Sequence, residues 1–457
     1  MRLIKFALKA FLLASFFVPL FLDIGPVGVA TWTGPFIGLL YIKLAELSIY
    51  PSKANRTKFY KWGSVLESIQ IGKWEASGLT FILWMYFSTL VNDYYYKYPS
   101  RDGLLFVYSL SILFAIYVRK SWGKMFKTET IVWLSIAMIV VQSFISMLQF
   151  ATSSTIGFPA KYFGSSGGTD LLKNDGAVRV IGTLDSSPTI LGRAISVFLP
   201  FVAIYPAYDF FSLKSKLIKA VVMSAGFVTI LMTQSRSAAI VVGSVVVLWL
   251  LQRSRAGLKM LVRPRTSWSK IYFVYSLVGI LGVGVLTLQK AGGISYIEKA
   301  VSSTLYRFDN LALLGNRYQL MKGALLFFWE NPVIGNGYLS TMYLAEQTDI
   351  FIVPSWRSFL RVHNAYLQFL AEGGIVAFMS YLYFTLYPLY RMWNSEILDS
   401  KTGIAFFTSI SMIVVLTLTS TAYDRYSLSP LYMILLGGAM GETDFISSVK
   451  PSNSIDE

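Results

Sequence analysis

Hydrophobic residues run along this chain in long stretches broken by short polar segments. A helix needs about 20 mostly apolar residues to cross the hydrocarbon of a bilayer. By that measure the pattern predicts spans at 6–22, 32–49, 76–95, 104–118, 130–150, 188–206, 217–233, 238–251, 271–288, 365–390, 403–420 and 428–441. The fold class this implies is an all-α polytopic membrane protein with about twelve transmembrane helices.

Lys and Arg orient the spans, because cytoplasmic loops carry the positive excess. With the N-terminus inside, every even-numbered connection is basic. They hold Lys53, Arg56, Lys58, Lys61 and Lys73, then Arg119, Lys120, Lys124 and Lys127, then Lys214 and Lys216. Arg253, Arg255, Lys259, Arg263 and Arg265 follow, and last come Arg391 and Lys401. The short outer connections lack such an excess. The expectation is therefore an N-in, C-in protein.

Two outer connections are long, at 151–187 and 289–364, and long loops of this kind are usually functional. The second has a helical pattern from Gly315 to Trp329, ended by Pro332, Gly335 and Gly337. Amphipathic helices lying on the outer face are expected there. The organisation predicted is N-terminal spans in 1–150, a periplasmic loop in 151–187, central spans in 188–288, and a large, partly helical periplasmic loop in 289–364. C-terminal spans in 365–441 and a disordered cytoplasmic tail in 442–457 complete it.

Composition agrees and narrows the chemistry. Only 14% of residues are charged, against roughly 25% in soluble domains. The net charge of +16 is then explained by basic loops on anionic lipid, and no nucleic-acid partner is expected. The chain has no cysteine, which excludes disulfides, thiolate metal sites and a Cys nucleophile. With a single histidine, no metal site is expected.

That histidine, His363, stands where the long second loop re-enters the membrane, in Arg361-Val362-His363-Asn364. An imidazole, ordinarily titrating near ~6.5, can accept a proton at neutral pH. Several arginines gather on the same outer side against the positive-inside bias: Arg179, Arg193, Arg236, Arg317, Arg361 and Arg425. A guanidinium grips phosphate oxygens in bidentate fashion, so the set suggests an anionic headgroup or diphosphate. A lone interfacial arginine has the plainer role of snorkelling. Tyr306, Trp329, Tyr338, Tyr343 and Trp356 offer faces for sugar rings or anchors at the headgroup level. Asp185 and Asp424 are expected to pair with nearby arginines, and Glu372 to support the helix start next to His363.

The ordered set of segments resembles a known family. His363-Asn364 followed by Gly374 is similar to the H-[NSQ]-x9-G-x-x-[GTY] signature of bacterial O-antigen ligases, although the last position is Ala377. Arg179-Val180-Ile181-Gly182-Thr183 with Ser187-Pro188, Ser235-Arg236-Ser237, and Asn316-Arg317 with Pro332 to Gly337 resemble further pieces of the O-antigen ligase and polymerase superfamily. The resemblance covers roughly residues 170–380 by motif.

The resemblance implies a metal-independent, inverting glycosyltransferase of the bacterial inner membrane with its active site facing the periplasm. Its donor would be an undecaprenyl-diphosphate-linked glycan, and its acceptor lipid A–core or a growing glycan. Membrane lipids would surround it, and no cofactor is implied. His363 would be catalytic, and Arg179, Arg236 and Arg317 would bind the diphosphate. Arg361, Asn364, Glu372, Arg425 and Asp185 would support them. Three readings stay open: a ligase in lipopolysaccharide assembly, an O-antigen or exopolysaccharide polymerase, and a lipid-linked oligosaccharide flippase. A flippase should carry polar, broken helices near the midplane.

Overall fold

The computed structural model describes residues 21–24, 27–30, 36–37, 71–93, 102–152, 173–174, 177–178, 180–182, 188–204, 212–233, 235, 238, 312–338, 340–343, 362, 364–418 and 429–449. These residues are helical apart from two short antiparallel hairpins. One joins β1 (Phe21–Ile24) to β2 (Val27–Ala30), and the other joins β3 (Lys173–Asn174) to β4 (Ala177–Val178). Both hairpins fall in stretches read from the sequence as outer connections or their edges.

The helices are α1 (Lys73–Asp93), α2 (Asp102–Lys120), α3 (Thr128–Thr152), α4 (Pro188–Ile204) and α5 (Ser212–Thr233). They continue with α6 (Ala312–Glu330), α7 (Ala365–Trp393), α8 (Lys401–Leu418) and α9 (Ser429–Val449). Each overlies a stretch expected to be helical. Among the described residues, Thr128–Thr152, Ala365–Trp393 and Lys401–Leu418 are long and apolar enough to cross a membrane, and Thr189–Ala203 and Lys219–Thr233 are shorter apolar helices. The expected spans at 6–22, 32–49, 238–251 and 271–288 lie almost wholly outside the described residues.

The chain divides into two compact units. The first comprises Met1–Phe126, Arg317–Arg391 and Ser420–Glu457, and the second Lys127–Asn316 and Met392–Thr419.

In the first unit α1 runs antiparallel to α7. Pro388 lies inside α7 and supplies no N–H, which orphans the carbonyl of Phe384 one turn earlier. Trp74 repairs this: its indole Nε1 donates to the Phe384 oxygen at 2.8 Å while its ring stacks on Phe384 at 4.7 Å. Alongside, α9 packs on α2 with Gly437 against the Ala115 backbone and Gly441 against Trp122. At this end Glu75, 1% exposed, pairs with Arg119 at 2.7 Å and Lys120 at 3.4 Å. Arg119 also reaches Asp444 at 2.8 Å, and Arg391 meets the same carboxylate at 2.5 Å. All four helix ends joined here fall on the side that the charge pattern expects to be basic.

This cluster also corrects the C-terminal boundary. The sequence suggests a span ending at 441 and a disordered tail from 442, but α9 continues to Val449. Its last turns are held because Trp122 Nε1 donates to Glu442 at 2.7 Å and Asp444 binds two arginines.

In the second unit α3 packs between α4 and α5, with α8 against α4. The buried side of α3 carries Ser135, Gln142, Ser143, Ser146 and Gln149. Such a seam of small and polar side chains is how helices associate in lipid, where apolar contact gives no preference for protein over hydrocarbon. Thr229 of α5, for instance, donates to Ser143 at 2.8 Å.

Candidate functional site

The region read as functional begins at the start of α7. Asn364 is its N-cap: the Oδ1 accepts from the Leu367 N–H at 3.1 Å, which satisfies a donor the helix leaves open. On the other side of His363, Val362 is fully buried in a cluster with Ala324, Phe327 and Ala371, and Leu367 packs on it. The residues flanking His363 are therefore fixed against α6 and α7, while His363 itself lies outside the described residues.

One face of α7 continues this site inward. Asn364, Gln368 and Glu372 are four residues apart and all buried. Glu372 is 0% exposed. Its Oε1 accepts from the Thr341 hydroxyl and from Gln368 Nε2 at 3.1 Å, with Gln368 also 3.3 Å from Oε2. Thr341 belongs to the 3-10 turn Ser340–Tyr343, so the carboxylate ties that turn to α7. An ionisable group this deep in an apolar helix is costly without partners and is a functional candidate by default.

Just past Glu372 the helix breaks. Gly374 has φ 65° and ψ −168°, a conformation essentially restricted to glycine. The carbonyls freed at the break are satisfied from outside the helix. Asn336 donates both its N–H and its Nδ2 to the Ala371 oxygen, each at 3.1 Å. The Glu372 oxygen accepts from the Gly337 N–H and from Ser88 Oγ, each at 2.8 Å. Trp84 Nε1 donates to the Gly373 oxygen at 2.9 Å. Asn92 Nδ2 holds the Gly335 oxygen at 3.0 Å, and Ile375 N–H closes the ring by donating to the Pro332 oxygen at 2.9 Å. The turn 331–337 thus seats in the break of α7 with α1 behind it. A Cβ at Gly374 would collide with the Val333 carbonyl, and one at Gly335 with the Glu372 carbonyl. The signature glycine is there because two backbones touch.

The second unit holds the other arginine-bearing segments. Arg179 lies outside the described residues, but Val180, Ile181 and Gly182 directly after it are placed. Val180 N–H donates to the Met232 oxygen at 3.3 Å, near the end of α5. The end of α5 leads into Thr233-Gln234-Ser235-Arg236. Gly192 of α4 packs on Thr233, Ser235 and Ala238, so the segment after Arg179, the neighbour of Arg193 and the turn around Arg236 converge. Arg193 is itself buried at 8% exposure. Gln149 of α3 holds the middle of this arrangement: its Oε1 accepts from Ile181 N–H and Gly182 N–H, both at 3.0 Å, and its Nε2 donates to the Gly182 oxygen at 2.9 Å.

Of the expected site residues, Asn364 and Glu372 are placed together on α7, and Arg317 is placed on α6 by its backbone. His363, Arg179, Arg236, Arg361, Arg425 and Asp185 lie outside the described residues, as does Asp424. Tyr338, weighed as a sugar platform, is buried at 5% exposure, with its N–H on Thr89 Oγ1 at 3.1 Å. Sequence reasoning missed Gln149, Gln368, Thr341, Ser88 and Trp84. The signal was present for two of them: an amide inside an apolar span, at helical spacing from another polar residue.

Taken together, these features define a helical membrane protein with a broken, capped helix at its candidate site. A family model described as O-antigen ligase matches residues 220–382, and the match supports membership of the O-antigen ligase superfamily. The matched region contains the turn around Arg236, all of α6, the 331–337 turn and the His363 to Gly374 segment. The members of this family are glycosyltransferase-like enzymes that use lipid-linked glycans and glycan acceptors. No curated protein matches the chain.

Proposed function

We propose that this protein transfers a glycan from an undecaprenyl-diphosphate carrier to an acceptor hydroxyl at the periplasmic face of the inner membrane, as an O-antigen ligase. The observation that carries the reading is the His363 segment. It falls within the family match, and its two neighbours, Val362 and Asn364, are fixed at the start of a capped and broken helix. The clustered basic ends of α1, α2 and α7 support an orientation that leaves this helix start on the opposite, outer side.

The chemistry follows from the residue types. The acceptor oxygen attacks the anomeric carbon, and its proton passes to the neutral imidazole of His363. The bond from that carbon to the diphosphate oxygen breaks, and the electron pair stays on the diphosphate. Arg179, Arg236 and Arg317 stabilise that growing charge, commonly the largest single contribution to catalysis. Attack opposite the leaving group inverts the anomeric centre, and no metal is required in this scheme. Proton transfer by His363 contributes about 10²–10⁴-fold.

The test is a purified enzyme in lipid nanodiscs with carrier-linked donor and glycan acceptor. His363→Ala should retain donor binding and lose transfer by about 10²-fold or more. An alanine variant that transfers at the wild-type rate removes His363 from the mechanism. Ala377 at the last position of the signature favours a second reading, in which a polymerase extends the chain on its carrier. Carrier-linked glycans from a deletion strain separate the two. Full-length polymer left on the carrier marks a lost ligase, and single repeat units mark a lost polymerase.

A further inference from the structure

Gln149 stands in the last turn of α3, fully buried, in a helix long and apolar enough to cross a membrane. A primary amide taken from water into such surroundings costs several kcal/mol unless its hydrogen bonds are replaced. Here they are replaced by the main chain of a loop. Both N–H groups of Ile181 and Gly182 point at one oxygen of the side chain, and the carbonyl of Gly182 receives its nitrogen. Two successive N–H groups converge on one acceptor because Gly182 has a φ of 63°, which turns the backbone there. Packing against neighbouring helices is the ordinary use of a polar residue in a span, as Ser143 and Thr229 illustrate, and it does not call for this three-point match to a loop backbone.

What the amide grips also matters. Val180 and Ile181 are 0% and 2% exposed, Val180 is bonded to the end of α5, and Arg179 is the next residue back along the chain. A shift of the strap by one residue would carry Arg179 about 3.3 Å away, more than a bidentate phosphate contact tolerates.

We propose that Gln149 is a positioning residue of the donor site: by holding residues 181 and 182 it sets where Arg179 meets the diphosphate. The inference rests on the reading of Arg179 as a diphosphate ligand. It assigns Gln149, on α3 outside the family match, to the same reaction as the matched region.

The experiment uses the full chain in nanodiscs with carrier-linked donor and glycan acceptor. Gln149→Leu removes all three bonds. Gln149→Glu keeps an acceptor for the two N–H groups and exchanges the donor to the Gly182 oxygen for a second carboxyl oxygen, which repels it when ionised, so it serves if the leucine variant does not fold. Gln149→Leu should raise the donor KM and lower kcat, for a loss of about ten-fold or more in donor kcat/KM, with the acceptor KM within about two-fold of wild type. Gln149→Glu should lower the donor kcat/KM less. In an Arg179→Ala background, Gln149→Leu should add nothing, because the group it positions is gone. A second readout does not depend on activity. The chain has no cysteine, so Ala177→Cys gives a single maleimide site beside the strap, and its labelling should speed up when Gln149 is replaced.

Unchanged labelling in both variants overturns the hold on the strap. Faster labelling with an unchanged donor kcat/KM overturns the positioning role while leaving the hold intact. Additive effects of Gln149→Leu and Arg179→Ala reduce Gln149 to general support of the fold and overturn the proposal. If the wild-type protein transfers no glycan from the carrier, the donor reading fails and the positioning role with it, and labelling alone then reports whether Gln149 holds the strap.

Discussion

The break at Gly374 and the strap at Gly182 each hold a glycine of positive φ, 65° and 63°, but different things stand behind the two glycines. Behind Gly374 is the backbone of the 331–337 turn, and every partner of the break is itself tied down. Behind Gly182 are the ends of two side chains, the Oε1 of Gln142 and the methyl groups of Leu191. The first is a junction of three chain segments with no give. The second is a strap fastened by an amide, with flexible neighbours. Close backbone contact makes a glycine obligatory, whereas a rotatable neighbour makes it only preferred. The two segments should therefore respond very differently to one added methyl group.

Gly374→Ala should have the largest effect of any single change near the site. The φ of 65° with ψ of −168° is a region that L-residues avoid at about 1–3 kcal/mol. The new Cβ meets the Val333 carbonyl, and forcing apart packed backbone adds about 1–3 kcal/mol. A loss of at least about 3 kcal/mol should appear as failure to purify as a single species, or as a large drop in the thermal midpoint in detergent. A variant with a near-normal midpoint would falsify the geometry of the break.

Glu372 separates the charge at this junction from its hydrogen bonds. Glu372→Ala leaves the Thr341 hydroxyl and the Gln368 amide without their acceptor, at about 1–3 kcal/mol for each group stranded in the interior. Glu372→Gln retains an oxygen that both can reach and should cost less than about 1.5 kcal/mol. Thermal unfolding of the two variants, read beside glycan transfer, makes the distinction. If the glutamine variant is as stable as wild type yet as inactive as the alanine variant, the negative charge is itself part of the reaction.

The comparison also shows what the sequence could reveal. Among the described residues, the helices were legible wherever apolar runs were long, because hydrocarbon thickness leaves a helix little choice. The pairing of Asn364 and Glu372 on one helix was legible from their spacing. The turn 332–337 was visible as a helix breaker and a family piece, but its seat inside α7 was not, since it depends on hydrogen bonds from Trp84 and Ser88 far earlier in the chain. Gln149 was visible as an amide inside an apolar span, but its partners were not, since they are loop N–H groups that carry no side-chain signal. The extension of α9 to Val449 was hidden because the partners that hold it, Trp122 and arginines of α2 and α7, lie far away in the sequence.

Gly182→Ala should have the smallest effect and is the sharpest check on the contrast. The left-handed φ costs an alanine about 1–2 kcal/mol. The collision with Gln142 Oε1 adds to this only until that side chain turns aside, since a rotamer change is cheaper than moving a backbone. The loss should therefore stay near about 1–2 kcal/mol, against at least about 3 kcal/mol for the same methyl at Gly374. Gln142→Ala supplies a cycle. If the side chain is what the methyl meets, the two changes together should cost less than their sum, by about 0.5 kcal/mol or more. Strict additivity would place the resistance elsewhere, in Leu191 of α4, whose Cδ1 would lie 2.9 Å from the new Cβ. A loss as large as that of Gly374→Ala would mean that the strap is as rigid as the helix break, and the distinction between a backbone junction and a side-chain fastening would not hold for this protein.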